Sequence, residues 1–200
     1  MLEWQENNME LLDGIQPSRT PLIGRSTEDS DPGLIARAEG WYGDKAKQAS
    51  ESGRCVFCNL KEEFVIAHYH GWTMTTNFYP RSQANLLVLP DRHLVSMTEF
   101  TEQDAIARQR LEQLGYSLVR ESFGIESVHF ILREGSGDKT VEHVHGHIMD
   151  YYHGIMKWYN EATMPDRAFR TPEEIGRPLL PREVVARTLQ ETLDRRMRVK

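Results

Sequence analysis

The order of strand-type and helix-type segments is the feature that most constrains the fold. Segments rich in β-branched and aromatic residues occupy 63–76, 85–90, 127–133 and 140–151, and a Gly-Trp break in the first predicts a strand, a turn and a strand. Residues 98–123 carry apolar side chains at helical spacing, and Thr101 with Asp104 forms a capping box. Because the strands do not alternate with helices in βαβ units, we predict an α+β fold with a mostly antiparallel sheet and a long helix.

The regions outside this pattern differ in composition. We predict that residues 1–52 form a peripheral, partly irregular N-terminal extension with a short helix at about 34–50, and that residues 53–152 form the main domain. Residues 153–200 form a C-terminal extension in which 182–197 repeats apolar residues at helical spacing. This pattern is typical of a helix that packs its apolar stripe onto the core.

Charge and hydropathy exclude several classes of protein. No apolar run in the 200 residues approaches the length of about 20 that a bilayer crossing needs, and the acidic N-terminus lacks a signal-peptide pattern. A net charge of −6 argues against general nucleic-acid binding. The sequence therefore predicts a cytoplasmic protein that binds neither membranes nor nucleic acids in general.

Three histidines alternate in the run His143-Val144-His145-Gly146-His147. Alternate side chains of a strand share a face, so we expect the three imidazoles on one side, with Val144 and Ile148 pointing to the core. Taken alone, the pattern is compatible with a His-rich surface strand, a metal site or a catalytic site.

The two cysteines of the chain, Cys55 and Cys58, have the CxxC spacing. In a reducing compartment this spacing indicates metal binding or redox chemistry rather than a structural disulfide. Two free thiols remain the alternative, and the absence of a surrounding βαβ pattern disfavours a thioredoxin-like role.

The ordered motifs C-V-F-C, N-F-Y-P, N-L-L-V-L-P-D-R-H and R-E-G-S-G-D-K-T-V-E-H-V-H-G-H resemble the histidine-triad (HIT) family of nucleotidyl hydrolases and transferases, in its zinc-containing CxxC subtype. The resemblance covers roughly residues 55–151. It implies a HIT-like catalytic domain over 53–152, a nucleotide substrate and a homodimer.

The resemblance also implies catalytic roles. His145, the middle histidine, corresponds to the nucleophile that attacks an α-phosphorus, since a neutral imidazole carries a lone pair at pH 7. His147 corresponds to a group that binds developing charge or assists proton transfer. Thr140 corresponds to a hydroxyl aimed at the phosphate.

Substrate-binding residues follow in the same way. Asn77 corresponds to the residue that contacts the ribose, and Phe78 lies where it can line a base pocket or belong to the core. Arg133 and Lys139 stand where the family usually has Asn and Gln, so they add positive charge beside the phosphate unless they turn to solvent.

For the metal, the resemblance completes the site with His93 and His143. Together with Cys55 and Cys58 they form a Cys₂His₂ set, which occupies all four positions of a tetrahedral zinc ion and so implies a structural role.

Several residues depart from the family pattern. Ala84-Asn85 replaces the usual Gly-His, and Gly146 replaces a bulky apolar residue, which predicts thinner packing behind His145. His147 stands where transferase branches have Gln, which favours hydrolysis of phosphoanhydrides or phosphoramidates. A nucleotidyltransferase or phosphorylase, or a zinc-stabilised nucleotide-binding protein without turnover, is the alternative.

Overall fold

The computed structural model describes residues 11–18, 55–77, 80, 84–134, 141–150 and 180–199. The helix predicted at about 34–50 lies outside the described residues, as do both ends of the strand predicted at 140–151.

Within the described residues, six strands form one sheet, and every neighbouring pair is antiparallel. The strands are β1 (Gln16–Pro17), β2 (Val65–Tyr69), β3 (Trp72–Thr76), β4 (Leu86–Pro90), β5 (Val128–Arg133) and β6 (His145–Asp150), in the spatial order β1-β2-β3-β4-β6-β5. The predicted α+β class with an antiparallel sheet is therefore confirmed. β1 lies in a segment for which no strand is predicted.

The hairpin between β2 and β3 forms at the predicted break. His70 and Gly71 link the strands with φ angles of 46° and 77°. Two consecutive left-handed residues match the twist of the flanking strands, as in a type I′ turn.

The long helix α1 spans Glu102–Phe123. Its Thr101–Asp104 capping box is present as predicted, and Gly124 ends the helix in the left-handed conformation at φ 64°. The helix begins four residues later than the apolar spacing indicates because residues Met97–Glu99 form a separate 3₁₀ turn with its own capping box. One member of the predicted stripe, Ile106, is 45% exposed.

The C-terminal helix α2 spans Arg182–Arg198 and packs its apolar stripe onto the core, as predicted. Arg182 fixes its first turn to the end of β3, donating from Nε to the Thr76 hydroxyl at 2.9 Å and from Nη2 to the Thr76 carbonyl at 2.8 Å. Its guanidinium also lies 3.6 Å from the centroid of the Phe64 ring.

Both helices cover the same face of the sheet and share one core with it. Residues 11–18 belong to the predicted peripheral extension, yet Leu11, Leu12 and Ile15 are buried in this core. None of the helices that the structure describes has the length and apolarity needed to cross a membrane. The opposite face of the sheet carries the candidate site.

Candidate active site and metal centre

His145 and His147 lie on β6 and project from the sheet face opposite the helices. Register establishes this face, because His147 pairs with Leu87, which lies outside the helix-covered core, whereas the neighbouring Ile148 belongs to that core. Both histidines are 6% exposed, and their ring centroids are 5.0 Å apart. The alternation predicted along the strand is present for these two rings, but His143, the third histidine, precedes β6 and is not part of it.

Gly146, between them, faces the helix side, where the ring of Phe130 on β5 occupies the space. A Cβ atom at Gly146 would lie 2.1 Å from Phe130 Cζ and 2.3 Å from Cε2. The prediction of thinner packing behind His145 is therefore wrong, because an aromatic side chain from the neighbouring strand supplies the volume that the glycine lacks.

The orientation of the His145 ring is set by the backbone. His145 Nδ1–H donates to the His143 carbonyl at 2.7 Å. Since a carbonyl only accepts, this hydrogen bond assigns the proton to Nδ1 and the lone pair of the neutral ring to Nε2.

Phe57, between the two cysteines, packs against the same ring. Its centroid lies 4.8 Å from that of His145 and 5.9 Å from that of His143, edge-on in both cases. Phe57 is not among the predicted site residues, although an aromatic residue inside a CxxC motif is a signal that could have marked it. The contact links the cysteine segment directly to the central histidine.

The four predicted metal ligands come together at one end of the sheet. One ligand atom from each of Cys55, Cys58, His93 and His143 lies within 4.8 Å of all the others. His143 Nδ1 is 3.4 Å from Cys55 Sγ and 3.6 Å from Cys58 Sγ, and His93 Nδ1 is 3.4 Å from Cys58 Sγ. These atoms come from three separate parts of the chain.

The three sulfur-to-nitrogen distances fit a tetrahedral zinc ion. Zn–S bonds of about 2.3 Å and Zn–N bonds of about 2.0–2.1 Å place S and N about 3.5–3.6 Å apart at tetrahedral angles. In addition, His143 Nε2–H donates to the Pro90 carbonyl at 2.9 Å, which leaves the Nδ1 lone pair directed at the sulfurs. Partial burial raises the pKa of the Cys58 thiol to about 11, and the hydrogen bond and charge of Cys55 act in the same direction.

An ion pair beside the cluster attaches the loop of His93 to α1. Arg92 donates from Nη1 and Nη2 to the two carboxylate oxygens of Asp104 at 2.7 and 2.6 Å, and Trp72 Nε1–H donates to Oδ1 at 3.0 Å. The hydrogen bonds from Arg92 hold the pKa of the buried Asp104 carboxyl well below its usual range, and those from Thr101 and Trp72 add to this effect. One carboxylate therefore caps the helix and fixes the residue preceding a candidate ligand.

The predicted substrate-binding residues are only partly described. Arg133, half-buried, pairs directly with His145 across β5 and β6, so the two side chains share a face. Asn77 is buried at the end of β3, where its Nδ2 donates to Asn85 Oδ1 at 2.6 Å. Phe78, Lys139 and Thr140 lie outside the described residues.

A family model described as "Scavenger mRNA decapping enzyme C-term binding" matches residues 54–159, about half of the chain. The chain belongs to this family. A search among curated proteins gives no significant match.

Several solved structures share the fold. A zinc-bound histidine triad family protein from Mycobacterium smegmatis is 20% identical with a TM-score of 0.55, over 73% of this chain and 97% of that one. A diadenosine triphosphate hydrolase from Plasmodium falciparum is 14% identical with a TM-score of 0.50, over 68% and 80%. A uridylyltransferase is 18% identical with a TM-score of 0.55, over 80% and 52%. The predicted HIT-like fold is confirmed.

Proposed function

We propose that the protein is a nucleotidyl hydrolase in which His145 forms a covalent bond to the α-phosphorus of a nucleotide phosphoanhydride or phosphoramidate. The observation that carries the proposal is the His145 Nδ1–H bond to the His143 carbonyl, which leaves the lone pair on Nε2 of a buried ring beside a second imidazole. A neutral imidazole held in one tautomer is a competent nucleophile at pH 7.

The reaction balances in two steps. In the first, the Nε2 lone pair of His145 forms a bond to phosphorus, and the bond from phosphorus to the leaving group breaks, with its electron pair staying on that group. In the second, a water oxygen attacks phosphorus, the N–P bond breaks with its pair returning to Nε2, and the water proton passes to solvent. Nδ1–H stays bonded to the His143 carbonyl throughout, which stabilises the charged ring of the intermediate.

We assign the other predicted residues to binding the substrate. Arg133 shares a face with His145, so its guanidinium can pair with phosphate oxygens. The remaining assignments rest on the family resemblance alone: ribose contact by Asn77, base contact by Phe78, and phosphate contact by Lys139, Thr140 and His147.

The relatives support the substrate class. One structural neighbour is named a diadenosine triphosphate hydrolase and another a uridylyltransferase, and the family description names a decapping enzyme. All three names refer to proteins that act on phosphates of nucleotides. A substrate panel should therefore contain diadenosine and diguanosine polyphosphates, a 5′–5′ cap dinucleotide and nucleoside phosphoramidates.

The test compares His145→Asn with His68→Asn, a matched control on β2 at the far side of the sheet. We expect His145→Asn to abolish turnover of every substrate that the parent hydrolyses, while His68→Asn retains it. Rapid quench of the parent with substrate in alkaline detergent, which preserves the acid-labile N–P bond, should give a protein mass raised by one nucleotidyl group, that is, a nucleoside monophosphate less one water. Equal rates in the parent and His145→Asn would overturn the covalent mechanism.

A transferase or phosphorylase would use the same intermediate with another acceptor. A nucleoside diphosphate that appears only when inorganic phosphate is added would establish phosphorolysis. A nucleotide-binding protein without turnover is the third candidate, because Asn85 and Gly146 depart from the family pattern. It predicts saturable nucleotide binding by calorimetry, with no product even at high enzyme concentration.

We propose further that Cys55, Cys58, His93 and His143 hold one structural zinc ion. The distances between the ligand atoms and the Nε2–H bond of His143 to the Pro90 carbonyl support this assignment. Such an ion would link residues 55–58 to the loop after β4 and to the segment just before β6. Metal analysis should find about one zinc per chain in the parent and much less in Cys58→Ser, with a lower melting temperature. Parent protein without metal would refute the site.

We also propose that the chain forms a homodimer in the cytoplasm. The first part rests on the family resemblance, and analytical ultracentrifugation tests it directly. The second is the prediction from the sequence, and fractionation of cells that express the tagged protein tests it.

A further inference from the structure

Asn85, the residue just before β4, has a side-chain amide whose orientation is fixed by its surroundings. Its Nδ2 lies 3.2 Å from the Ile148 carbonyl and 3.3 Å from the Leu86 carbonyl, and its Oδ1 accepts from Asn77 Nδ2 at 2.6 Å. Carbonyl oxygens only accept hydrogen bonds, so the NH₂ group must face them. Because Asn85 is only 2% exposed, the reversed amide would place Oδ1, an acceptor, against these two carbonyl oxygens in a buried site, which is unfavourable.

The same NH₂ group lies 3.4 Å from His147 Nδ1. An NH₂ group only donates, and its two hydrogens are shared among the two carbonyls and His147 Nδ1, so the compatible state of His147 has its lone pair on Nδ1 and its proton on Nε2. A proton on Nδ1 would make this nitrogen a donor that faces the NH₂ donor of Asn85 in a buried site. The register partners of His147 on β4 and β5 are Leu87 and Ile131, which do not titrate, and the ring beside it on β6 is His145.

We propose that Asn77 and Asn85 form an amide relay that holds His147 in the Nε2–H tautomer, so that His147 acts as a hydrogen-bond donor to the phosphoryl group and not as the acid that protonates the leaving group. His145 is then held in the opposite tautomer, with its lone pair on Nε2. Asn77 and Asn85 are positioning residues, because they act through His147.

The relay narrows the substrate class, an inference that rests on the proposed function of the site. A neutral imidazole can share its N–H but does not release it as an acid near pH 7. A phosphoanhydride needs no acid, because its leaving group departs as a stable phosphate anion. A phosphoramidate needs a proton on its leaving amine. The relay therefore favours phosphoanhydrides, such as dinucleoside polyphosphates, over phosphoramidates.

The tautomer can be tested without substrate. In uniformly ¹⁵N-labelled protein, long-range ¹H–¹⁵N spectra distinguish a protonated ring nitrogen from one with a lone pair, and the spectrum of His147→Gln identifies the His147 signals. We expect a protonated Nε2 and an unprotonated Nδ1 at pH 7. An Nδ1–H tautomer, or an imidazolium at that pH, overturns the relay.

Asn85→Asp tests the consequence for specificity. A carboxylate accepts from Nδ1–H and favours the imidazolium, in which Nε2 also carries a proton that it can release, so this variant should let the ring act as an acid. The kcat/KM ratio for a phosphoramidate over the matching phosphoanhydride should then rise by about tenfold or more. An unchanged ratio in a folded variant whose NMR spectrum shows His147 as an imidazolium at the assay pH would refute the specificity argument.

Asn85→Ala provides a second variant if Asn85→Asp does not fold. It removes the NH₂ group without adding charge, and the NMR spectrum should then show a mixture of tautomers. A pure Nε2–H signal in this variant would overturn the relay. Parent protein that shows the expected tautomer but hydrolyses neither substrate would contradict the proposed function and leave the relay standing.

Discussion

A Cβ atom at residue 146 is the sharpest test of how β6 is packed. In Gly146→Ala, the new methyl would lie 2.1 and 2.3 Å from two Phe130 ring atoms. Carbon atoms in contact are normally about 3.5–4.0 Å apart, so the ring must move by more than 1 Å. Phe130 is half-buried on an edge strand and has room to move outward, at the expense of its packing and of the Arg108 guanidinium 5.4 Å from its centroid. We expect a loss of about 2 kcal/mol in the free energy of unfolding, within the usual range for overpacking.

A double-mutant cycle measured by urea denaturation separates this clash from other effects. Phe130→Ala alone should cost about 2 kcal/mol, because the side chain is only half-buried. The double variant should cost clearly less than the sum, with a coupling of about 1–2 kcal/mol, since the methyl then fills space that the ring has left.

Phe64→Leu provides the matched control. Phe64 precedes β2, which is three strands away from β6, or about 14 Å at the usual strand spacing. In the double variant with Gly146→Ala, the loss in the free energy of unfolding should equal the sum of the two single losses. Additivity of Gly146→Ala with Phe130→Ala as well would refute the proposed packing.

Two further predictions concern stability. Asp104→Asn should lower the free energy of unfolding by about 3 kcal/mol at pH 7, because the Arg92 and Trp72 donors lose their carboxylate partner. Because the pKa of Asp104 is lowered in the folded state, its contribution to the free energy of unfolding is complete above about pH 4 and declines as the pH falls further. The urea midpoints of the parent and the variant should therefore converge in acid. A constant difference down to pH 2 would contradict this assignment. Gly115→Ala places a methyl 2.3 Å from Ile148 Cδ1, at the contact of α1 with β6. This variant should lower the free energy of unfolding by about 1 kcal/mol, after allowance for the better helix propensity of alanine. A higher melting temperature would show that the contact between α1 and β6 is loose.

Local patterns in the sequence predicted much of the architecture. The capping box at Thr101, the stop at Gly124 and the alternation of His145 and His147 depend on neighbours a few residues apart, so the sequence was sufficient to find them. The CxxC spacing is equally local. The motif resemblance named His93 and His143 as its partners, and the fold brings the four side chains together.

Contacts between distant segments had no such signal. The ring of Phe130 over Gly146, the amide of Asn85 against His147 and the edge of Phe57 against His145 each join residues brought together by strand register or by the path of a loop. Leu11, Leu12 and Ile15 entered the core although their segment reads as peripheral. Periodicity and capping are properties of short stretches of backbone, so the sequence determined the elements. The partner of each buried side chain depends on how those elements pair, and only the tertiary structure decided that.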